Sequence, residues 1–415
     1  MNLINSKPVS FLLGPLQLLL FIIPFSAIFS AVPALAPLDA VLNFLGTALI
    51  GLSIVYLLFT DDLRISMRGS LPLFLIMAYY ALSVTWSPQE MRGHAQHVTT
   101  RTLFTVLQAF VIVNVLGRER LFGTLKQIAI LGVVLNLAFM FVFPMQAAWF
   151  GEDESRIQGL FSSPNNMGQF LAFAFIAINL HDRKGLPLPL LLLLDAAIIY
   201  QLLRCDSMTS LGGVAIIFVA YRIRFLMRPL FYCIIGLGLL VPNLSRIMGT
   251  TDVTLGNTNR DLTFTGRTDL WDVIRSDLSS QNRTNFGFGS GGYWLPEDEF
   301  NPFSHATDLT WFAGQAHNGY MDVMVNTGIV GVALLLLFLF TSIGSLFHRV
   351  PWSQPVAYFL FLIVLFNNIT EASMLREKHF YFVLLMVVYW YIFLQPQEAT
   401  EPEVQPSGTL VPQPN

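Results

Sequence analysis

Charge is what this 415-residue chain has least of: Asp, Glu, Lys and Arg make up 12% of it, against 54% hydrophobic residues. A soluble globular surface needs about twice that charged fraction, so a water-soluble fold is excluded. Cysteine is nearly absent. Cys205 and Cys233 show no metal-ligand spacing and fall in or beside apolar runs, which argues against a zinc site and a disulfide framework. There is no repeat at periods of 20 to 50 residues and no inverted half-to-half symmetry, which disfavours a transporter built from repeats. The outer loops carry no carboxylate-rich metal motif, so neither metal nor cofactor is expected. The net charge of −3 says nothing in favour of nucleic acid, and none is expected as a partner.

What is present is length of apolar helix. About 17 to 25 apolar residues cross a bilayer. Twelve stretches meet or approach this length: 10–31, 38–59, 71–86, 99–116, 121–143, 166–181, 186–204, 208–222, 226–242, 318–346, 354–370 and 378–394. Ala34-Leu35-Ala36 looks like a signal-peptide cleavage site, but the apolar run before it is too long and Pro37 follows, so the first span is read as retained. The expected fold is an all-α polytopic membrane protein of about twelve transmembrane helices.

Lys and Arg are kept on the cytoplasmic side. With the N-terminus inside, the even-numbered connections hold Arg64, Arg68, Arg118, Arg120, Arg183, Lys184, Arg222, Arg224, Arg228 and Arg349, about twice the load of the odd-numbered ones. That bias places one polar island, residues 243–317, outside the cytoplasm with the smaller loops 87–98 and 144–165. The chain then divides into spans one to nine (1–242), a large outer loop (243–317), spans ten to twelve (318–394) and a proline-rich cytoplasmic tail (395–415), expected to be disordered.

The island ends in Gln315-Ala-His-Asn-Gly-Tyr-Met-Asp322. His317 sits where loop becomes span, reachable from outside, and an imidazole can take a proton from a hydroxyl at neutral pH. A histidine in a helix-start turn is equally ordinary. Asn318, Asp322 and Asn326 follow at i, i+4 and i+8, a polar seam on one helix face that reads either as a wet cavity wall or as interhelical hydrogen-bond glue. Arg267 offers a planar donor fork suited to phosphate, or a plain structural cation. Arg156 and Arg204 bring further cations to the outer side, and Arg204 has the option of snorkelling. Asn285-Phe-Gly-Phe-Gly-Ser-Gly-Gly-Tyr293 lacks a strand-to-helix nucleotide pattern and reads as tight turns folding the loop back on the membrane. Trp271, Tyr293, Trp294 and Trp311 read as sugar-stacking platforms or as packing.

Five stretches in this order resemble one family: Arg156-Ile-Gln-Gly-Leu-Phe-Ser-Ser-Pro164-Asn165, Ser207-Met-Thr-Ser-Leu211, Gly266-Arg-Thr-Asp-Leu-Trp271, Gly287-Phe-Gly289 and Ala316-His-Asn-Gly-Tyr320. Ala81-Leu-Ser-Val-Thr-Trp-Ser-Pro88 and Asn367-Asn-Ile-Thr-Glu-Ala372 add two landmarks. The family is the bacterial O-antigen ligase and polysaccharide polymerase superfamily, with the likeness nearest to exopolysaccharide polymerases. It implies a C-type glycosyltransferase in the inner membrane, its large loop periplasmic, taking an undecaprenyl-diphosphate-linked glycan as donor. The implied acceptor is a second glycan or lipid A-core, with membrane lipid and a chain-length regulator as further partners. By the same resemblance His317 acts on the acceptor hydroxyl and Arg267 binds the donor diphosphate, while Arg156 lies in the matching outer motif. Ligase-like members carry arginine directly after the serine of the Ser-x motif, where this chain has Met208. Either Arg204 substitutes or the second phosphate contact is missing, which tilts the expectation toward a polymerase over a ligase. A lipid-linked glycan flippase is the rival of another class, and it should show cations along a central cavity rather than at the two surfaces.

Overall fold

The computed structural model describes residues 6–35, 37–61, 63–149, 156–181, 185–248, 267–294, 314–377 and 379–395. The tail after Gln395, Trp311, Arg183, Lys184 and the island segments 249–266 and 295–313 lie outside these residues. Among the described residues the protein is helical, with two isolated β-bridges, Ile65 to Leu394 and Ala148 to Ile157. It is a multi-pass membrane protein: among the described residues five helices are long and apolar enough to cross a bilayer.

The first expected span is divided. Helix α1 (Lys7–Ile22) contains Pro15 within a π-helical segment, Leu12–Leu16, and stops at Ile23, which is extended ahead of Pro24. Helix α2 (Ser26–Ala31) completes the stretch, and α3 (Pro37–Phe59) and α4 (Leu71–Leu82) follow. The fourth and fifth expected spans form one helical run, α5 (Arg92–Val142), broken at Gly117 by φ 66°. Next come α6 (Pro164–Leu180), α7 (Leu188–Cys205), α8 (Met208–Arg222) and α9 (Met227–Met248).

The island is not loop throughout. Leu270, Trp271, Ile274 and Leu278 recur at helical spacing and are buried along α10 (Arg267–Ser280), with Asp269 favouring the positive end of the helix dipole. The chain continues into α11 (Gly319–Arg349), α12 (Pro355–Asn367) and α13 (Phe380–Ile392).

Among the described residues, loops gather at two ends. At one end Gln395 N donates to Arg64 O at 2.7 Å, Ser66 N to Phe393 O at 2.9 Å and Arg118 to Leu394 O at 2.7 Å, and Arg349 sits 5.0 Å over Phe393. At the other end residues 156, 165, 267, 317 and 371 converge. Helices α12 and α13 are almost wholly buried and have 13 residues each, about 20 Å of rise against roughly 30 Å of hydrocarbon. The turn between them is therefore recessed among longer neighbours.

One helix break holds the island in place. Gly328 (φ 68°) interrupts α11 and frees backbone groups that must be paired inside a membrane protein. Ile329 N donates to Thr284 O (3.0 Å) and Val330 N to Asn285 O (3.2 Å), while Val325 O accepts from Phe288 N (2.9 Å) and Thr327 O from the Tyr79 hydroxyl (2.9 Å). The glycine-rich stretch thus packs on the broken helix. A Cβ at 328 would lie 2.2 Å from Asn285 O, whereas at Gly344 nothing lies within 4 Å. Gly328→Ala should therefore destabilise by about 2 kcal/mol or more, from strain and clash together, and Gly344→Ala should not. Thermal unfolding in detergent distinguishes them, and equal melting of both variants refutes this account of the break.

Candidate active site

The His317 turn is fixed on both sides. Asn318 is the N-cap of α11: its Oδ1 accepts from Tyr320 N (3.1 Å) and Met321 N (2.9 Å), and its Nδ2 donates to Gly238 O (2.8 Å) in α9 and Ile369 O (2.9 Å). On the other side, Ala316 N donates to Asp322 Oδ1 (3.0 Å) and Ala316 O accepts from Trp271 Nε1 (2.7 Å). Between these anchors His317 has φ 48°, a left-handed conformation costing a non-glycine residue about 1 kcal/mol or more. The polar seam is thus engaged with local backbone. Asn318 caps, Asp322 braces the turn, and Asn326 accepts from Gly291 N (3.1 Å) while donating to Asp322 O (2.8 Å).

The centre of the site is a carboxylate to which the sequence reading gave no role. Glu371 lies in the recessed turn after α12, 6% exposed. Its Oε2 is 3.3 Å from His317 Nδ1 and accepts from Gln315 Nε2 at 3.2 Å. Its Oε1 is 3.4 Å from Arg267 Nη2 and accepts from Asn165 Nδ2 at 2.7 Å. Arg267 also donates to Thr370 O at 2.7 Å. Arg376 donates to Gln315 Oε1, which turns the Gln315 amide nitrogen toward Glu371 and His317. Burial alone would raise the Glu371 pKa. The hydrogen bond and charge of His317, followed by Arg267, outweigh burial and hold it at about 2. His379, capping α13 by accepting from Tyr381 N, is pushed down to about 3 by burial and then by Arg376, so it stays neutral.

Arg156 joins this centre through one intermediary. Ser163 caps α6, Pro164 occupies its first turn, and Asn165 follows with its side chain between Arg156 Nη2 (2.9 Å) and Glu371. Arg156 Nε donates to Cys205 O at 3.0 Å.

Arg204 is not brought to Glu371. Successive helix residues point about 100° apart, and in α7 Gln201, Leu202 and Cys205 take the buried face, leaving Arg204 exposed. Two expected sugar platforms are also ruled out by burial: Trp271 (1% exposed) serves Ala316, and Tyr293 (0%) donates its hydroxyl to Asp277 Oδ2 at 2.8 Å. Trp294 is half-buried, edge-on to Tyr293. Among the described residues no three His, Cys, Asp or Glu side chains gather as a metal-binding set.

Glu371, Gln315, Asn165 and Arg376 went unassigned in the sequence reading. A signal for the first was present, since it is the one carboxylate between Pro351 and Arg376 and follows an apolar span directly.

Comparison with known proteins meets this geometry. Residues 188–336 match the family model described as O-Antigen ligase, an interval containing Arg204, Arg267 and His317. Over this interval the chain resembles the O-antigen ligase family, as its motif order implies. It is also 25% identical over 292 residues to the exopolysaccharide production protein ExoQ of Rhizobium meliloti (strain 1021). That alignment covers 65% of this chain and 63% of the relative, so the chain spans less than two thirds of the relative's length. Arg156 and Glu371 lie outside the family interval yet are joined to it by the bonds above.

Because folding lowers the Glu371 pKa, its ionisation contributes stability that is fully present above the ordinary value of 4.5 and lost as pH falls toward about 2. Glu371→Gln should flatten the melting temperature across that window relative to wild type. Glu371→Ala, which leaves Arg267 and His317 facing a vacated site, should cost about 3 kcal/mol at neutral pH. Parallel wild-type and Glu371→Gln pH profiles would show that this carboxylate is not the buried charge described.

Proposed function

We propose that the protein is a glycan polymerase of the bacterial inner membrane, joining undecaprenyl-diphosphate-linked oligosaccharide units on the periplasmic face. The observation that carries the reading is the meeting of His317, Glu371 and Arg267 in one recessed site. When His317 Nδ1–H is directed at Glu371, the ring's lone pair is on Nε2 and is available to an acceptor hydroxyl. That hydroxyl oxygen attacks the donor's anomeric carbon and its proton passes to Nε2. The bond from the anomeric carbon to the phosphate oxygen breaks, and the lipid diphosphate leaves with the electron pair. A single displacement inverts the anomeric centre. Arg267 faces the charge that grows on the leaving diphosphate, and a preorganised cation there lowers the barrier without reorganisation. Arg156 acts on this reading through Asn165, by holding Glu371 in place.

A polymerase is favoured over a ligase because Met208 occupies the position where ligase-like relatives carry an arginine, and the exposed side chain of Arg204 does not replace it at Glu371. The gathering of cations at the site rather than along a central cavity supports an enzyme over a flippase.

Purified protein supplied with undecaprenyl-diphosphate repeat units should yield a ladder of lengthening lipid-linked glycan without lipid A-core. Product formed only on added lipid A-core would make it a ligase, and neither product would favour the flippase. His317→Ala should lower turnover on the order of 10²- to 10⁴-fold at unchanged folded yield, and Arg267→Ala should fall in the same direction. Full activity of His317→Ala would refute the mechanism.

A further inference from the structure

A second polar site lies on the lipid-facing flank, away from His317. Arg156, Arg204, Tyr200, Phe141 and Pro144 border a cavity of about 230 Å³ between the outer ends of α5 and α7. Two nitrogens of Arg156 are engaged with Cys205 O and Asn165. Among the described residues its Nη1 makes no hydrogen bond, and neither does the guanidinium of Arg204. The surrounding surface is apolar and exposed, with Val142, Met145 and Leu203 each more than 60% exposed. Phe141 and Tyr200 lie parallel at the rim, 6.5 Å apart. Helix α7 rises about 27 Å over its 18 residues, which carries Arg204 from one face of the bilayer to headgroup level at the other.

Two cations in a cavity set in an apolar face have the chemistry of a lipid headgroup site, with the guanidinium forks for the phosphate and the flanking side chains for the acyl chains. Snorkelling of Arg204 alone would require neither the cavity nor Arg156. We propose that this cavity binds the phosphate of an anionic phospholipid in the leaflet on the His317 side. A volume of about 230 Å³ suits a phosphate headgroup. A phosphate on Arg156 also holds the guanidinium that fixes Asn165 on Glu371, so the bound lipid steadies the site from behind.

The test reads lipid binding and needs no glycan donor, so it stands or falls apart from the transfer reaction. Full-length protein is placed in phosphatidylcholine nanodiscs with or without phosphatidylglycerol, then followed by thermal unfolding and by native mass spectrometry after lipid release. Wild type should melt higher with phosphatidylglycerol and retain it. Arg204→Ala should weaken that response about five- to tenfold, Arg204→Glu should abolish it, Arg204→Lys should keep most of it, and Arg267→Ala should keep all of it. Inorganic phosphate alone should give no shift. An equal response in wild type and Arg204→Glu overturns the proposal, as does no response in wild type. An Arg204-dependent response to undecaprenyl diphosphate but not to phosphatidylglycerol also overturns it, assigning the cavity to the substrate lipid instead.

Discussion

A carboxylate shut away from water has to be surrounded by donors, and the outer half of this protein is arranged to meet that requirement at Glu371. An unpaired buried carboxylate costs several kcal/mol. Here the neutralising and hydrogen-bonding groups come from three remote stretches: Asn165 at the start of α6, Arg267 at the start of α10, and Gln315 and His317 ahead of α11. None of these segments is adjacent to the α12–α13 turn in sequence. The interaction that makes the recessed turn tolerable is therefore the same one that assembles the candidate site.

The second constraint is backbone satisfaction. The outer ten residues of α11 are pinned at both ends, by the Asn318 cap that also binds α9 and Ile369, and by the Gly328 break that binds residues 284–288. Polar groups released by a broken helix find no water in hydrocarbon, so the island backbone must supply them. The glycine run gives the close approach this needs, with Ser290 N donating to Ser83 Oγ (2.9 Å) and Gly291 N to Asn326. Held this way, α11 presents His317 at a fixed height above its own break.

These two constraints also explain what could be read from the sequence. Hydropathy is a property of single segments, so the all-helical, multi-pass character was legible, while the division of the first stretch and the joining of the fourth and fifth were not. His317 was legible as a candidate because a polar seam follows it at helical spacing. The use of that seam was not, because capping by Asn318 and bracing by Asp322 depend on turns that become visible only in three dimensions. The helix α10 could have been found from the spacing of Leu270, Trp271, Ile274 and Leu278. Glu371 could not be given a role, because that role depends on contacts with residues 54 to 206 positions away. Arg156 and Arg204 looked equivalent by side of the membrane, yet the first faces Cys205 and Asn165 and the second faces outward.

The distances around Arg267 indicate how such a site can accept an anion without collapsing. Its bond to Thr370 O is short, at 2.7 Å, while its contact with Glu371 is 3.4 Å. The carbonyl therefore fixes where the guanidinium stands, and the carboxylate is the looser of its two partners. On the transfer reading, a diphosphate drawing Arg267 toward itself competes with Glu371 and leaves the Thr370 anchor intact. Glu371 would still hold Asn165 and Gln315, and its charge would then fall more fully on the imidazolium that forms as His317 takes the acceptor proton. A carboxylate shared loosely between a cation and a base can pass its influence from one to the other as charge moves, which a single tight ion pair could not do.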